Sequence, residues 1–207
     1  SKILDAPFVI DDLSKDGVWR PTNYGEKFYG LSTLRLGIEK SRNLMTIRLS
    51  DQLGLEKIAE LSQNLGIYNN FPYLISSSLG SLESSLIKIT SAYSSIANGG
   101  YKVKSRIIDV IYDNAGKTIY KGDERKCSNC YFDINEQLVD TDSLIRELPF
   151  PEIIKDNEKM FSAESAYQMV SFLMGVIKRG TAKNINNFDY QIAGKTGTTN
   201  ENQDAWF

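Results

Sequence analysis

Apolar residues follow two rhythms along this chain, and the changes between them mark its elements. Through the first twenty residues they come in short pieces around Ile10-Asp11-Asp12 and Val18-Trp19. Pro7 and Pro21 oppose a long helix there, so the pattern predicts short extended segments joined by turns. From Thr33 the spacing becomes helical, with Leu34 and Ile38 and then Leu44, Ile47, Leu49 and Leu53 recurring along one face. The rhythm breaks at Ser41-Arg42-Asn43, which predicts two helices with a junction between them. Gly54 separates a further helix, Leu55 to about Leu65, with Ile58, Leu61 and Leu65 inward and Gly66 as its stop. Ser85 to Ala97 reads as another helix, closed by Asn98-Gly99-Gly100.

The β signal returns at Ile107-Ile108-Asp109-Val110-Ile111-Tyr112. With Asp113-Asn114-Ala115-Gly116 and Lys117-Thr118-Ile119-Tyr120 it predicts a hairpin. The stretch from about 121 to 159 is polar and carries Cys127, Cys130, Pro149 and Pro151, the profile of an insertion or surface subdomain. Ser162 can cap a helix whose face is Ala166, Met169, Val170, Leu173 and Ile177, with Arg179-Gly180 as basic last turn and stop. Tyr190 to Ala193 then enters Gly194-Lys195-Thr196-Gly197-Thr198-Thr199, and Asp204-Ala205-Trp206-Phe207 begins a partner strand.

Composition narrows the chemistry. With 207 residues and 41% apolar side chains the chain can bury a sizeable core. Its 24 Lys plus Arg against 26 Asp plus Glu leave no electrostatic case for nucleic acid. No apolar run approaches the roughly 20 residues that cross a bilayer, so any membrane attachment is expected through a segment absent from this chain. Histidine is absent, which removes Ser-His-Asp, Cys-His and His-ligated metal chemistry together. A nucleophile here needs another base. Two cysteines are too few for a closed four-thiolate zinc site.

The segment Gly194 to Thr199 admits several readings. It can be a tight turn with incidental polar residues. A phosphate loop needs a glycine five positions before Gly194, where Asp189 stands, and Gly197 opposes the helix that must follow. The third reading is an edge strand that presents a cation and two hydroxyls beside a glycine over which a substrate backbone can approach. Such a strand suits a peptide ending in a carboxylate.

Lys195-Thr196-Gly197-Thr198 resembles the K-T-G motif of the penicillin-binding proteins and serine β-lactamases, which accompanies S-x-x-K and S-x-N. Gly180-Thr181-Ala182 before it and Asp204 to Phe207 after it are similar to the bifunctional peptidoglycan synthases in particular. Ser41-Arg42-Asn43 fits S-x-N at the junction between helices where the family carries it. Ser62-Gln63-Asn64 has the same letters without that setting. Pro21-Thr22-Asn23-Tyr24, Phe28-Tyr29-Gly30, Leu79-Gly80 and Ala92-Tyr93 extend the likeness over the chain outside about 121–159. S-x-x-K is expected ahead of Asp5-Ala6-Pro7; the only serines at the start of the chain, Ser1 and Ser14, lack the lysine three residues on. Ser85-Leu86-Ile87-Lys88 has the letters in the wrong order along the chain. The expectation is therefore a partial transpeptidase domain spanning 1–207, without the segment that bears the nucleophilic serine.

The resemblance implies an α/β fold of the penicillin-binding and serine β-lactamase type, an antiparallel sheet bearing the Lys195 strand, packed by helices, with a helical lobe supplying Ser41. It implies D,D-transpeptidation of peptidoglycan stem peptides through a serine acyl-enzyme, covalent binding of β-lactams, and no cofactor. Ser41 would relay protons, Asn43 would hold the peptide amide, Lys195 would supply positive potential, and Thr196, Gly197 and Thr198 would form the carboxylate and oxyanion side. A glycosyltransferase domain, a membrane anchor and an extracytoplasmic location would lie with the rest of such a protein. A β-lactam sensor, a carboxypeptidase and a β-lactamase of the same fold are alternatives. In that oxidising location Cys127 and Cys130 would more readily pair than stay free or share a metal.

Overall fold

The structure is a computed structural model that describes residues 1–12, 17–123, 125–128, 150, 152–154, 158–185, 189–198 and 205–207. The chain divides into two compact units, one of residues 1–103 with 159–207 and one of residues 104–158.

In the first unit, β1 (Lys2–Asp5) pairs antiparallel with β4 (Gly30–Thr33), and β2 (Ile10–Asp12) with β3 (Gly17–Trp19). Strand β1 alternates, burying Ile3 and Asp5 and exposing Lys2 and Leu4. Thr33 then turns the chain into α1 (Leu34–Glu39) by accepting the Leu36 N–H on its hydroxyl. Helix α2 (Asn43–Leu53) buries Leu44, Met45 and Ile47. Arg42 at its N-cap gives no side-chain bond, and Asn23 substitutes from 21 positions away by accepting the Leu44 N–H at 3.2 Å.

Helix α3 (Leu55–Asn64) departs from the expected face: Leu61 is exposed, and Ala59 and Ser62 are buried. The helix packs on α2 and on a 3₁₀ turn at Ile75–Leu79, and its small residues take the inner positions. Ser62 pairs its hydroxyl with the Ala59 carbonyl at 2.9 Å, so burial leaves it satisfied. Helix α4 (Leu86–Ala97) ends at Asn98-Gly99-Gly100 as its punctuation predicts.

Helix α5 (Ala163–Arg179) carries the local signals that the sequence displays. The Ser162 hydroxyl accepts from Ser165 N–H at 3.2 Å, Glu164 sits in the first turn, and Lys178 and Arg179 sit in the last. Leu173, Val176 and Ile177 are buried, and Val176 and Ile177 pack with Ala182, Ile185 and Ile192. Strands β9 (Gly197–Thr198) and β10 (Ala205–Trp206) form a short antiparallel ladder.

The second unit holds the expected hairpin, β5 (Val110–Tyr112) with β6 (Thr118–Lys121), and β7 (Lys126–Ser128) paired with β8 (Glu152–Ile154). Asp113 closes the hairpin turn by accepting the Ala115 and Lys117 N–H groups at 2.9 and 2.8 Å. Cys127 lies on β7, and Cys130 lies outside the described residues.

Helices and small antiparallel ladders together bear out the mixed α/β expectation. Among the described residues the strands form separate two-stranded ladders in place of one sheet. Lys195 stands two residues ahead of β9, not within it.

Candidate active site

Ser41 owes its position to the way α1 stops. Its backbone lies in the left-handed region, φ 52°, where glycine is ordinarily found. The Ser41 N–H donates to Ile38 O at 3.1 Å and the Arg42 N–H to Gly37 O at 2.9 Å, the paired closing bonds of a Schellman motif. A Cβ in that conformation costs roughly 1–2 kcal/mol. The fold carries that strain and gains a hydroxyl at the junction of α1 and α2.

Arg42 turns the opposite way. It is buried, donates to the Ser32 hydroxyl at 2.8 Å, stacks on Tyr29 with 4.0 Å to the ring centre, and lies 3.6 Å from Asp5 Oδ2. Asp5 is fully buried and accepts from Asn23 Nδ2 at 2.7 Å on its other oxygen. Asp5, Arg42 and Asn23 therefore hold the junction from beneath. Asn43, the first residue of α2, donates its side-chain amide to Thr22 O at 3.0 Å.

Lys195 approaches from the far end of the chain. The Gly194 N–H donates to Leu173 O at 3.3 Å, and the ring of Phe207 covers Gly194 so closely that a Cβ there would lie 2.5 Å from Cζ. With its base fixed, Lys195 extends Nζ to donate to Ser41 Oγ at 2.8 Å and to its neighbour's carbonyl, Thr196 O, at 2.7 Å. Burial pushes its amine below the ordinary lysine value of 10.5. The Thr196 hydroxyl lies 2.6 Å from that of Thr181.

Gly197 and Thr198 are exposed on β9. Among the described residues a Cβ on Gly197 would meet only the Cβ of Trp206, at an ordinary 3.9 Å, so no contact with them demands glycine there.

The structure thus brings Ser41, Lys195 and Thr196 together from two regions 154 positions apart, and places Asn43, two residues after Ser41, at the head of α2. The rival motif letters lie elsewhere. Ser62 is buried within α3, and Lys88 donates to Asn69 at 3.3 Å from the first turn of α4. Thr181 belongs to the constellation and was foreshadowed only as a neighbour of the K-T-G motif. Asp5 and Asn23 had no more signal than polar residues in likeness segments. Among the described residues no group of three or more acidic or thiol side chains gathers to hold a metal ion, and no helix is long and apolar enough to cross a membrane.

Comparison with known proteins identifies the family. The family model for the penicillin binding protein transpeptidase domain matches residues 3–205, and the chain belongs to that family. Among individual relatives it is similar to penicillin-binding protein 1A of Rickettsia bellii (strain RML369-C), 41% identical over 203 residues that make up 98% of this chain and 25% of that protein. The crystal structure of penicillin-binding protein 1A from Haemophilus influenzae superposes with a TM-score of 0.76 at 26% identity, over 100% of this chain and 32% of that one. PonA1 from Mycobacterium tuberculosis in complex with penicillin V shares the fold, with a TM-score of 0.69 at 15% identity over 98% of this chain and 48% of that one. The chain spans about a quarter of the length of the curated relatives it matches.

Proposed function

We propose that this chain supplies the leaving-group and carboxylate-binding side of a serine D,D-transpeptidase centre that cross-links peptidoglycan stem peptides at the extracytoplasmic face of the membrane. The observation that carries the reading is the Lys195 Nζ to Ser41 Oγ hydrogen bond at 2.8 Å, which joins the S-x-N and K-T-G motifs into one site.

The acylated serine belongs to an S-x-x-K segment ahead of Ser1. In the first step its Oγ attacks the penultimate D-Ala carbonyl, and the bond to the terminal D-Ala nitrogen breaks. The serine proton passes to the S-x-x-K lysine and then, through Ser41, to the leaving amine. In the second step an amine of another stem peptide attacks the ester, forms the cross-link and returns the serine hydroxyl. Lys195 holds Ser41 in line and sets a positive potential beside it. Asn43 takes the peptide amide, and Thr196 and Thr198 take the terminal carboxylate across the open face of Gly197. The Thr198 N–H and that of the acylated serine form the oxyanion hole, single donors of which contribute about 3 kcal/mol. β-Lactams enter as strained mimics of the same peptide terminus, and no cofactor enters the chemistry.

Treating the full-length protein with a fluorescent penicillin and mapping the adduct by peptide mass spectrometry tests this. The adduct is expected on the S-x-x-K serine ahead of Ser1, and the isolated 207-residue chain is expected to take none; an adduct on Ser41, Ser85 or any other residue of this chain overturns the reading. Incubating a pentapeptide donor with and without an amine acceptor then separates transpeptidation from carboxypeptidation.

A further inference from the structure

Ser41 and Lys195 belong to separate elements, so something must hold the end of α1 against the end of α5 for their hydrogen bond to persist. Glu39, two residues before Ser41, is 1% exposed, an unusual setting for a carboxylate. Arg179, in the last turn of α5, grips it with both arms of the fork: Nε donates to Oε2 at 2.8 Å and Nη2 to Oε1 at 2.5 Å. Arg35, one turn earlier on α1, adds a second cation 3.6 Å away.

The main chain repeats the connection. Thr181 N–H donates to Glu39 O at 3.1 Å, and Lys40 Nζ donates to Arg179 O at 2.5 Å. Two glycines make room. A side chain at Gly175 would run into the Glu39 carboxylate, and one at Gly180 into the Glu39 carbonyl. A glycine inside a helix is destabilising relative to alanine, so Gly175 points to a close approach that the fold uses. From Thr181 the linkage continues to Thr196 at 2.6 Å, next to Lys195.

We infer that Glu39, clamped by Arg179, is a positioning residue that sets the Ser41 to Lys195 separation. It touches neither substrate nor reacting atoms; it locks the end of α1 that carries Ser41 to the end of α5 that leads, through Thr181, to the K-T-G segment. This rests on the transpeptidase reading above for its consequence in catalysis, and on the structure alone for its consequence in geometry.

Arg179 is the site to perturb, because its side chain is half exposed and its loss opens no core cavity. In the full-length protein, Arg179→Ala should lower the limiting rate of acylation by penicillin at least tenfold and leave the dissociation constant of the non-covalent complex within threefold. Arg179→Lys should recover part of that rate, since it returns the charge without the fork. A crystal structure of the Arg179→Ala protein reads the geometry independently of activity, and the Nζ to Oγ separation should open beyond hydrogen-bond distance. Retention of the 2.8 Å contact with a wild-type acylation rate in the folded variant overturns the inference. If instead the wild-type protein takes no penicillin, the transpeptidase reading fails, and the Ser41 to Lys195 separation in the variant still decides whether Glu39 sets it. Should Arg179→Ala fail to fold, Glu39→Gln, which keeps size and one acceptor, carries the same two measurements.

Discussion

Lys195 Nζ donates at 2.8 Å to a serine hydroxyl, that of Ser41, whose backbone sits at φ 52°, where a glycine would be unstrained. The position therefore trades stability for a functional group, and substitution can separate the two. Ser41→Gly should be more stable than Ser41→Ala by about 1 kcal/mol in denaturant unfolding, because both lose the hydroxyl and only alanine keeps a strained Cβ. Both should acylate with penicillin far more slowly than wild type in the full-length protein. Equal stability of the two variants would contradict the strained assignment.

Beneath the junction, Asp5 and Arg42 form a buried pair separated by 3.6 Å, with Asp5 Oδ2 and Arg42 Nε both lacking hydrogen-bond partners among the described residues. Arg42→Met should cost about 3–5 kcal/mol, since it leaves the Asp5 carboxylate uncompensated. The double variant Asp5→Leu with Arg42→Met should regain much of that loss. Additive losses across the double-mutant cycle would show that the two residues do not act as a pair.

Gly197 separates ligand approach from folding. Among the described residues Gly197→Ala meets nothing closer than 3.9 Å, so its unfolding free energy should stay within about 0.5 kcal/mol of wild type. Acylation should fall at least tenfold, because the new methyl occupies the space proposed for the substrate backbone. Unchanged acylation would mean that substrate does not cross β9 at this residue.

Lys195 gives a pH signature. Burial disfavours its charged form, so the folded chain releases this proton below the ordinary 10.5 of an unfolded lysine. Its burden on folding is thus complete below the folded value and is relieved as pH rises through the window up to 10.5, where the unfolded chain binds the extra proton. Activity runs the other way. Acylation should decline as Lys195 loses its positive charge, with an alkaline limb below 10.5 that Lys195→Arg moves upward. An alkaline limb indifferent to that substitution would assign the titration to another group.

Much of this was legible in the sequence wherever one local rule decided the outcome. The interrupted apolar period at Ser41-Arg42-Asn43 marked the junction, and Ser162 with Arg179-Gly180 marked both ends of α5. The left-handed turn was hidden because serine stands where glycine would have announced it. Leu61 was misplaced because periodicity ranks residues by apolarity, whereas the close packing of α3 selected Ala59 and Ser62 for their size. Glu39 escaped notice because its partner lies 140 positions away, and only the glycine inside α5 hinted at a neighbour. The K-T-G motif located Lys195, but its contact with Ser41 is a property of the folded chain.

The most direct measurement is the acylation rate of the full-length Lys195→Ala protein by a labelled penicillin, taken against wild type under the same conditions. Loss of one charge-assisted contact of roughly 3 kcal/mol in the transition state predicts at least a hundredfold slower acylation in a protein that remains folded. Acylation at the wild-type rate would remove the Ser41 and Lys195 pair from the chemistry.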